Sequence, residues 1–509
     1  MILSSRPLRS LVAAGSVLTL AFASAAAPPR FEDTPDMKDL PARWAPLMEE
    51  FLVPGLAVAV VKDGKVHAVA TFGKRDGAMS KPVTPDTMFY IASITKTYMA
   101  TALSALAEQG KLSLDDPVKK HLPRLALADS ESAGKITIRD LLCHKPGLNS
   151  TPIVTLDAYT GEITDDRYYH FLAEVKPTWE MSYSNVHYTI LGRVIESVTG
   201  KSWRDSLEDL VFKPAGLART TGYASRMYSD PDHADPMEWS HKHGWRAAEV
   251  RKIDEVMHAA GGLGASLNDA ARYLCLHLNN GEIDGKRVFS AESARAMRTE
   301  NSAMKEPRGS LRVMSGFGLA WQTGTYFKRP LNSHGGGYIG TYAYYAMLSD
   351  QKAGFAVLMN ASGAAGGLGD VIAIDILNRL TGENAAPDLL DRYLQRVREQ
   401  RAKVEEGEGG PDTSGGPLAA SALSAAPAAL SGVYKNEWWG TVTLTPVDGG
   451  VQVKIGKVNV RVTSEETNAF TIRGPIFEKT TGRITPAGDG KPASITLSDS
   501  DVGDVVYTR

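Results

Sequence analysis

A serine followed three residues later by a lysine is the smallest pattern in this chain able to support covalent chemistry. It occurs four times, at Ser93/Lys96, Ser132/Lys135, Ser302/Lys305 and Ser349/Lys352. A serine hydroxyl becomes a nucleophile only when a neighbour takes its proton. A lysine can do that only where burial and the positive end of a helix dipole lower its pKa. Context separates the four pairs. The last three lie in polar stretches beside Gly, Pro or Asp, which read as loops with no fixed relation between the two side chains. Ser93 instead follows the apolar run 88–92 and opens an apolar helical pattern, so Lys96 falls on the same face one turn on, with Ile91, Tyr98 and Met99 supplying burial.

Two further clusters could complete such a site. Tyr183 adds a second acid/base group, and Asn185 an amide able to hold a substrate carbonyl, just ahead of a helical pattern. A second Tyr-x-Asn, at Tyr434 and Asn436, sits in a different kind of segment and reads as structural. His334, Gly335, Gly336 and Gly337 precede a strand pattern. Consecutive glycines let a backbone approach a substrate closely, and a backbone N–H there could form one arm of an oxyanion hole.

The elements that must position these residues follow from periodicity. Residues 56–61 and 66–72 are β-type runs around Asp63-Gly64, a hairpin signature, and 342–349 with 354–360 form a second such pair. Helical patterns run over 93–109, ended by Gly110, and over 188–198, ended by Gly200. This mixture is an α/β or α+β layer structure. Residues 387–405 are charged and helix-favouring, 407–428 form a Gly, Ser, Pro and Ala tract too poor in apolar residues to order itself, and 430–509 alternate as short strands, a barrel or sandwich. The domain boundaries read from the sequence are therefore 1–25, 26–386, 387–429 and 430–509. Over 1–25, Arg6 and Arg9 precede an apolar run and Ala23-Ser24-Ala25, the pattern of a cleavable signal peptide, so the expected location is secreted or periplasmic.

Taken in order, helix-opening Ser93-x-x-Lys96, Tyr183-x-Asn185 and the basic-x-Gly triplet His334-Gly335-Gly336 resemble the motifs of the serine β-lactamases and penicillin-binding proteins. The resemblance is closest to the class C β-lactamase branch and its esterase and D-aminopeptidase relatives. The stretches 136–144, 183–200 and 259–263 resemble the family too. The resemblance implies a catalytic domain with an antiparallel sheet flanked by helices. It implies Ser93 as the acylated nucleophile, with Lys96 and Tyr183 sharing the general-base role and Tyr183 helping to activate the deacylating water. Asn185 would orient the substrate amide, and the N–H groups of Ser93 and Gly337 would form the oxyanion hole beside Gly336. It implies no metal and no organic cofactor. The 430–509 segment resembles the lipocalin-like domain of some relatives and reads as a folding or oligomerisation unit, through which copies of the chain could associate, with a ligand-binding barrel as the alternative.

One departure bears on substrate. Where many β-lactamases carry Lys-Thr-Gly, this chain has His334-Gly335-Gly336. Histidine is mostly neutral at pH 7, so the expected substrates are esters, amides or short peptides, often of D-amino acids. On this reading carboxylated substrates gain on neutral ones as pH falls toward about 6. The alternatives are a β-lactamase or D-Ala-D-Ala carboxypeptidase, and a non-catalytic binding protein on the same scaffold.

Composition narrows the partners. A formal charge of −2 over 509 residues supplies no field for nucleic acid, and no apolar run reaches the length of a membrane span. Cys143 and Cys275 read as buried thiols rather than a disulfide. His233, His241 and His243 read as a surface loop without metal, the pair His144 and His187 as satisfied structural histidines, and Trp438-Trp439 as a domain contact or core.

Overall fold

The computed structural model describes residues 28–240, 244–248, 250–309, 312–363, 365–383, 391–392, 394–396, 398–399, 431–447, 450–466, 469–473, 480–488, 493–499 and 502–509. The signal-peptide pattern, the Gly/Ser/Pro tract, His241 and His243 lie outside the described residues.

An antiparallel sheet of eight strands organises the larger unit. Its strands are β1 (Gly55–Lys62), β2 (Lys65–Gly73), β3 (Ser302–Arg308), β4 (Arg312–Phe317), β5 (Gln322–Tyr326), β6 (Arg329–Tyr338), β7 (Thr341–Leu348) and β8 (Ala353–Met359). They lie in the order β3-β4-β5-β6-β7-β8-β1-β2, so the chain's first hairpin completes the edge begun by its last. Both hairpins expected from sequence are present, β1 with β2 and β7 with β8. Gly55 to Val61 is buried at every position because the sheet is covered on both faces. Leu56, Val58 and Val60 point to one layer, where α1 (Leu40–Glu50) packs; Ala57, Ala59 and Val61 point to the other, which holds α2 (Thr95–Glu108), α3 (Asn185–Thr199) and α4 (Leu267–Leu278). The helix α5 (Ala365–Thr381) closes the first layer.

α2 is enclosed on every side: residues 95–106 are all buried, the polar Thr95, Lys96, Thr97, Thr101 and Ser104 included. α3 is bounded by local chemistry. The Ser184 side chain accepts from the Val186 N–H at its start, and Gly200, at φ +69°, ends it in the left-handed region where a Cβ would be strained.

Residues 432–508 form eight strands, from Gly432–Asn436 to Gly503–Thr508, that curl until the first meets the last at the single pair Lys435 and Thr508. Tyr434, Val442, Leu444, Val453, Ile495 and Tyr507 fill the interior. This barrel docks on the segment 156–171 of the larger unit. Trp438 stacks on His170 with centroids 3.6 Å apart, and Trp439 meets Phe171 edge-on at 5.4 Å. The Glu162 carboxylate accepts from the Thr441 N–H and hydroxyl at 2.6 and 2.8 Å, and the Lys457 N–H donates to the Thr160 carbonyl at 2.8 Å. The two tryptophans are thus contact residues between the units. Asn436 spends its side-chain carbonyl on the N–H groups of Trp438 and Trp439, which accounts structurally for the second Tyr-x-Asn.

Candidate active site

Ser93 sits in the turn that feeds α2. The helix does not begin at Ser93, as its sequence pattern suggested: Ala92–Ile94 is a single 3-10 turn and the α-helix starts at Thr95. The tighter turn is forced at Ala92, which holds φ at +45°, a conformation that costs a residue with a Cβ of order 1 kcal/mol or more and is found where surrounding structure over-determines it. Thr95 supplies part of that constraint, its hydroxyl donating to the Ala92 carbonyl at 2.6 Å and accepting from the Leu263 N–H at 3.0 Å. The Ser93 side chain is half-buried and Lys96 wholly buried.

The Lys96 Nζ has three oxygen partners: Ser93 Oγ at 3.0 Å, Asn185 Oδ1 at 2.9 Å and the Ala260 carbonyl at 2.6 Å. Two of these can only accept. The Ser93 hydroxyl alone can also donate. A neutral amine, with two N–H groups and one lone pair, therefore satisfies all three contacts when the Ser93 proton points at the nitrogen. Burial without a carboxylate partner holds the Lys96 pKa well below the usual lysine range, which favours that neutral form.

Tyr183 precedes the N-cap of α3 and forms the open wall of the cleft, with 41% of its surface exposed. Its hydroxyl end is turned inward: burial pushes the phenol well above its ordinary range, and the Ser93 side chain acts in the opposite sense. The ring lies 4.8 Å from Lys96 Nζ and 6.0 Å from the His334 ring. A phenol so placed stays protonated at rest.

β6 brings the glycines. A Cβ at Gly336 would lie 2.2 Å from the Ile91 carbonyl and 3.2 Å from the Ser93 nitrogen, so the absence of a side chain is what lets the strand lie against the Ser93 turn. A Cβ at Gly337 would meet nothing within 4 Å, placing that residue at the open cleft.

His334 corrects the sequence reading. It is 1% exposed, its Nδ1 donates to the Gly335 carbonyl at 2.7 Å, and its Nε2 has no partner among the described residues. Burial, and then the nearby Lys96, lower its pKa to about 3. It cannot become a cation near pH 6, and the expected gain of carboxylated substrates there loses its basis. The remaining Ser-x-x-Lys pairs are also corrected: Ser132 lies in the helix Ser130–Lys135, Ser302 in β3 and Ser349 in the 3-10 turn Ser349–Gln351, not in loops. None becomes a site. The Ser132 hydroxyl donates to Asp129 and Lys135 pairs with Glu131, while the Ser302 hydroxyl donates to the Cys143 carbonyl.

One contributor, Ala260, and one buried lysine outside the Ser93 cluster, Lys252, had no sequence signal of their own. Ala260 acts through its carbonyl, within the 259–263 stretch whose likeness to the family carried no role. Lys252 is 2% exposed and donates to the Ala158 and Val256 carbonyls at 2.5 and 3.2 Å, faced by the rings of Tyr338, Tyr159 and Tyr90 at 4.1, 5.1 and 5.8 Å. Burial lowers its pKa to about 7. It ties the barrel-docking segment to the loop that carries Ala260. Cys143 and Cys275 are separate buried thiols. Among the described residues no cluster of three or more His, Cys, Asp or Glu has metal-binding geometry.

Comparison with known proteins places the chain in a family. Residues 42–377 match the Beta-lactamase family. The chain is 32% identical over 355 residues to penicillin-binding protein 4 of Amycolatopsis lactamdurans, an alignment covering 67% of this chain and 89% of that one. Protein flp of Staphylococcus aureus strain MW2 is 33% identical over 179 residues, covering 33% of this chain and 35% of its own. Among solved structures, the octameric penicillin-binding protein homologue from Pyrococcus abyssi covers 92% of this chain and 99% of its own at a TM-score of 0.59 and 23% identity. The D-amino acid amidase from Ochrobactrum anthropi SV3, complexed with D-phenylalanine, covers 68% of this chain and 100% of its own at a TM-score of 0.55 and 22% identity. These two likenesses are of fold.

Proposed function

Since the chain belongs to the β-lactamase family of serine hydrolases, we propose that it cleaves an ester, amide or short-peptide bond through an acyl-enzyme on Ser93, with D-amino-acid derivatives as the substrate class. The observation that carries this is the set of three partners around Lys96 Nζ, in which only Ser93 can donate. Neutral Lys96 takes the Ser93 proton as Oγ bonds to the substrate carbonyl carbon. The carbonyl oxygen becomes an oxyanion between the N–H groups of Ser93 and Gly337, donors fixed before the charge develops. As the carbon–leaving-group bond breaks, the Tyr183 hydroxyl donates its proton to the departing amine or alkoxide and recovers one from Lys96. Deacylation repeats the path with water in place of Ser93. The amide nitrogen of Asn185, whose oxygen is engaged by Lys96, is left to orient the substrate amide.

Three features support the substrate class. The neutral, buried His334 offers no permanent charge to a substrate carboxylate. Gly337 faces open space. The larger unit also shares its fold with a D-amino acid amidase. The second reading, a β-lactamase or D-Ala-D-Ala carboxypeptidase, is favoured by the penicillin-binding protein relative. The same proposal includes export, from the pattern of residues 1–25, and association of copies through the barrel, since the Pyrococcus abyssi homologue that spans both units is octameric. No helix among the described residues is long and apolar enough to cross a membrane. The test compares kcat/KM for a D-amino acid amide, its L-enantiomer, a neutral ester and a penicillin, with Ser93→Ala as control. Faster turnover of the D-amide or ester supports the proposal. Preferential turnover of the penicillin selects the second reading, and turnover that survives Ser93→Ala removes both.

A further inference from the structure

Tyr183 is gripped on both sides by one residue. The Ser182 N–H donates to the His144 carbonyl at 3.1 Å, and the Ser184 N–H donates to the His144 Nδ1 at 3.2 Å. The His144 ring itself packs against the Tyr183 ring, centroids 4.6 Å apart, and is enclosed further by Phe317 at 4.9 Å and Tyr188 at 5.3 Å. To reach this position His144 adopts φ +61°, uncommon for a residue with a Cβ.

The protons in this cluster can be assigned. His187 Nε2 lies 2.9 Å from the Leu148 N–H and must accept from it. The neutral His187 ring therefore carries its proton on Nδ1, which lies 2.9 Å from the His144 Nδ1 and donates to it. The His144 Nδ1 is then unprotonated, and its one lone pair is shared between the His187 Nδ1–H and the Ser184 N–H. Its own proton sits on Nε2, buried among the aromatic rings and without a partner among the described residues. Only two neutral rings permit this chain of donors. Both are wholly buried, and burial together with Lys96 keeps both below the ordinary histidine range.

We infer that His144, its tautomer set by His187, is a positioning residue that holds the Tyr183 hydroxyl over Ser93 by fixing the backbone on either side of it. The inference rests on the proposed role of Tyr183 in proton transfer. His144 touches neither substrate nor Ser93. Its work is done through Ser182, Ser184 and the face of the Tyr183 ring, which would otherwise form a half-exposed wall free to swing. A misplacement of about 1 Å at a reacting group costs on the order of 10²-fold in rate, so loss of this grip should appear in kcat with little change in KM.

The test is made on the whole chain with an activated ester and amide hydrogen exchange. His144→Ala removes the ring acceptor and should lower kcat about 10²-fold, the cost of such a misplacement, with KM within a few-fold, and should lose exchange protection at Ser184, while Ser182, whose acceptor is the backbone carbonyl that alanine keeps, is the internal reference. His144→Asn keeps an acceptor oxygen near the Nδ1 position and tolerates the left-handed backbone better, so it should recover most of the rate and the protection. A folded His144→Ala variant with wild-type kcat and a protected Ser184 amide would overturn the inference. So would a folded His144→Asn as impaired as His144→Ala. If His144→Ala does not fold, His187→Leu, which removes the donor that sets the tautomer, is read in the same two assays against the same outcomes. If the wild-type protein shows no Ser93-dependent turnover, the proposed function fails, and exchange at Ser184 in the variants still decides whether the His144 ring holds the Tyr183 backbone.

Discussion

Adding one methyl group to Gly336 should disable the site, and adding the same group to Gly337 should not. A Cβ at position 336 would stand 2.2 Å from the Ile91 carbonyl oxygen, a backbone atom that cannot rotate away. That is roughly 1 Å short of ordinary van der Waals contact, so either β6 or the Ala92–Ile94 turn must retreat by about that distance. The turn is already held at Ala92 with positive φ and bound through Thr95 to Leu263, which leaves the strand as the element that moves. Moving β6 by 1 Å shifts Gly337 relative to Ser93 and should slow acylation by about 10²-fold, or about 2.7 kcal/mol in the barrier. The overpacking should also destabilise the fold by about 1–3 kcal/mol. The Gly337→Ala variant meets nothing within 4 Å and serves as the matched control, with stability close to wild type. The assay is kcat/KM on a small activated ester together with the unfolding midpoint of both variants. A Gly336→Ala protein with wild-type kinetics, or a Gly337→Ala protein equally destabilised, would refute the claim that close approach of β6 to the Ser93 turn builds the site.

Three other outcomes follow from the same geometry. The rate of acylation should rise with pH through the Lys96 pKa, on a limb well below the free lysine value of 10.5, because only the neutral amine can take the Ser93 proton. Lys96→Arg, which stays charged, should abolish that limb and lower the rate by about 10²–10⁴-fold; an unchanged pH profile in the variant would count against Lys96 as the base. Since His334 has its pKa lowered to about 3, the ratio of kcat/KM for a carboxylated and a neutral substrate should show no inflection near pH 6, and one appearing there and vanishing in His334→Gln would restore the charged role that burial excludes. Glu162→Ala removes an acceptor of two hydrogen bonds from Thr441, and at about 1.5–3 kcal/mol for a bond to a charged group it should loosen the barrel, read as faster protease cleavage around 437–441. Unchanged cleavage would show that Trp438 and Trp439 suffice for docking.

How much of this could be read from the sequence depends on whether a side chain or a backbone does the work. Ser93 and Lys96 were separable from three look-alike pairs because an apolar run on both sides marks a buried helix start. The hairpin over 55–73 and the end of α3 at Gly200 were legible because turn and cap residues carry local signatures. The placement of the look-alike pairs in loops was wrong: Ser132 and Ser302 lie in a short helix and an edge strand whose partners, Asp129 and Cys143, polar composition does not reveal. The 3-10 turn was invisible because alanine has no preference for positive φ; tertiary packing imposes it. Ala260 contributes only a carbonyl, which every residue has. His334 was misread for a related reason: its type suggests a titration near neutrality, whereas its environment, which sequence does not state, removes the charge. The pairing of His144 with His187 joins residues 43 apart through ring nitrogens, and nothing local to either announces it.

The most direct measurement of the central claim is the intact mass of the protein during turnover of an activated ester, followed by peptide mapping of any adduct. An acyl group on Ser93, formed at a rate that falls on Lys96→Arg and absent in Ser93→Ala, is the predicted result. A folded protein that consumes the ester with the adduct elsewhere, or that forms the Ser93 adduct equally fast without the lysine, would contradict it.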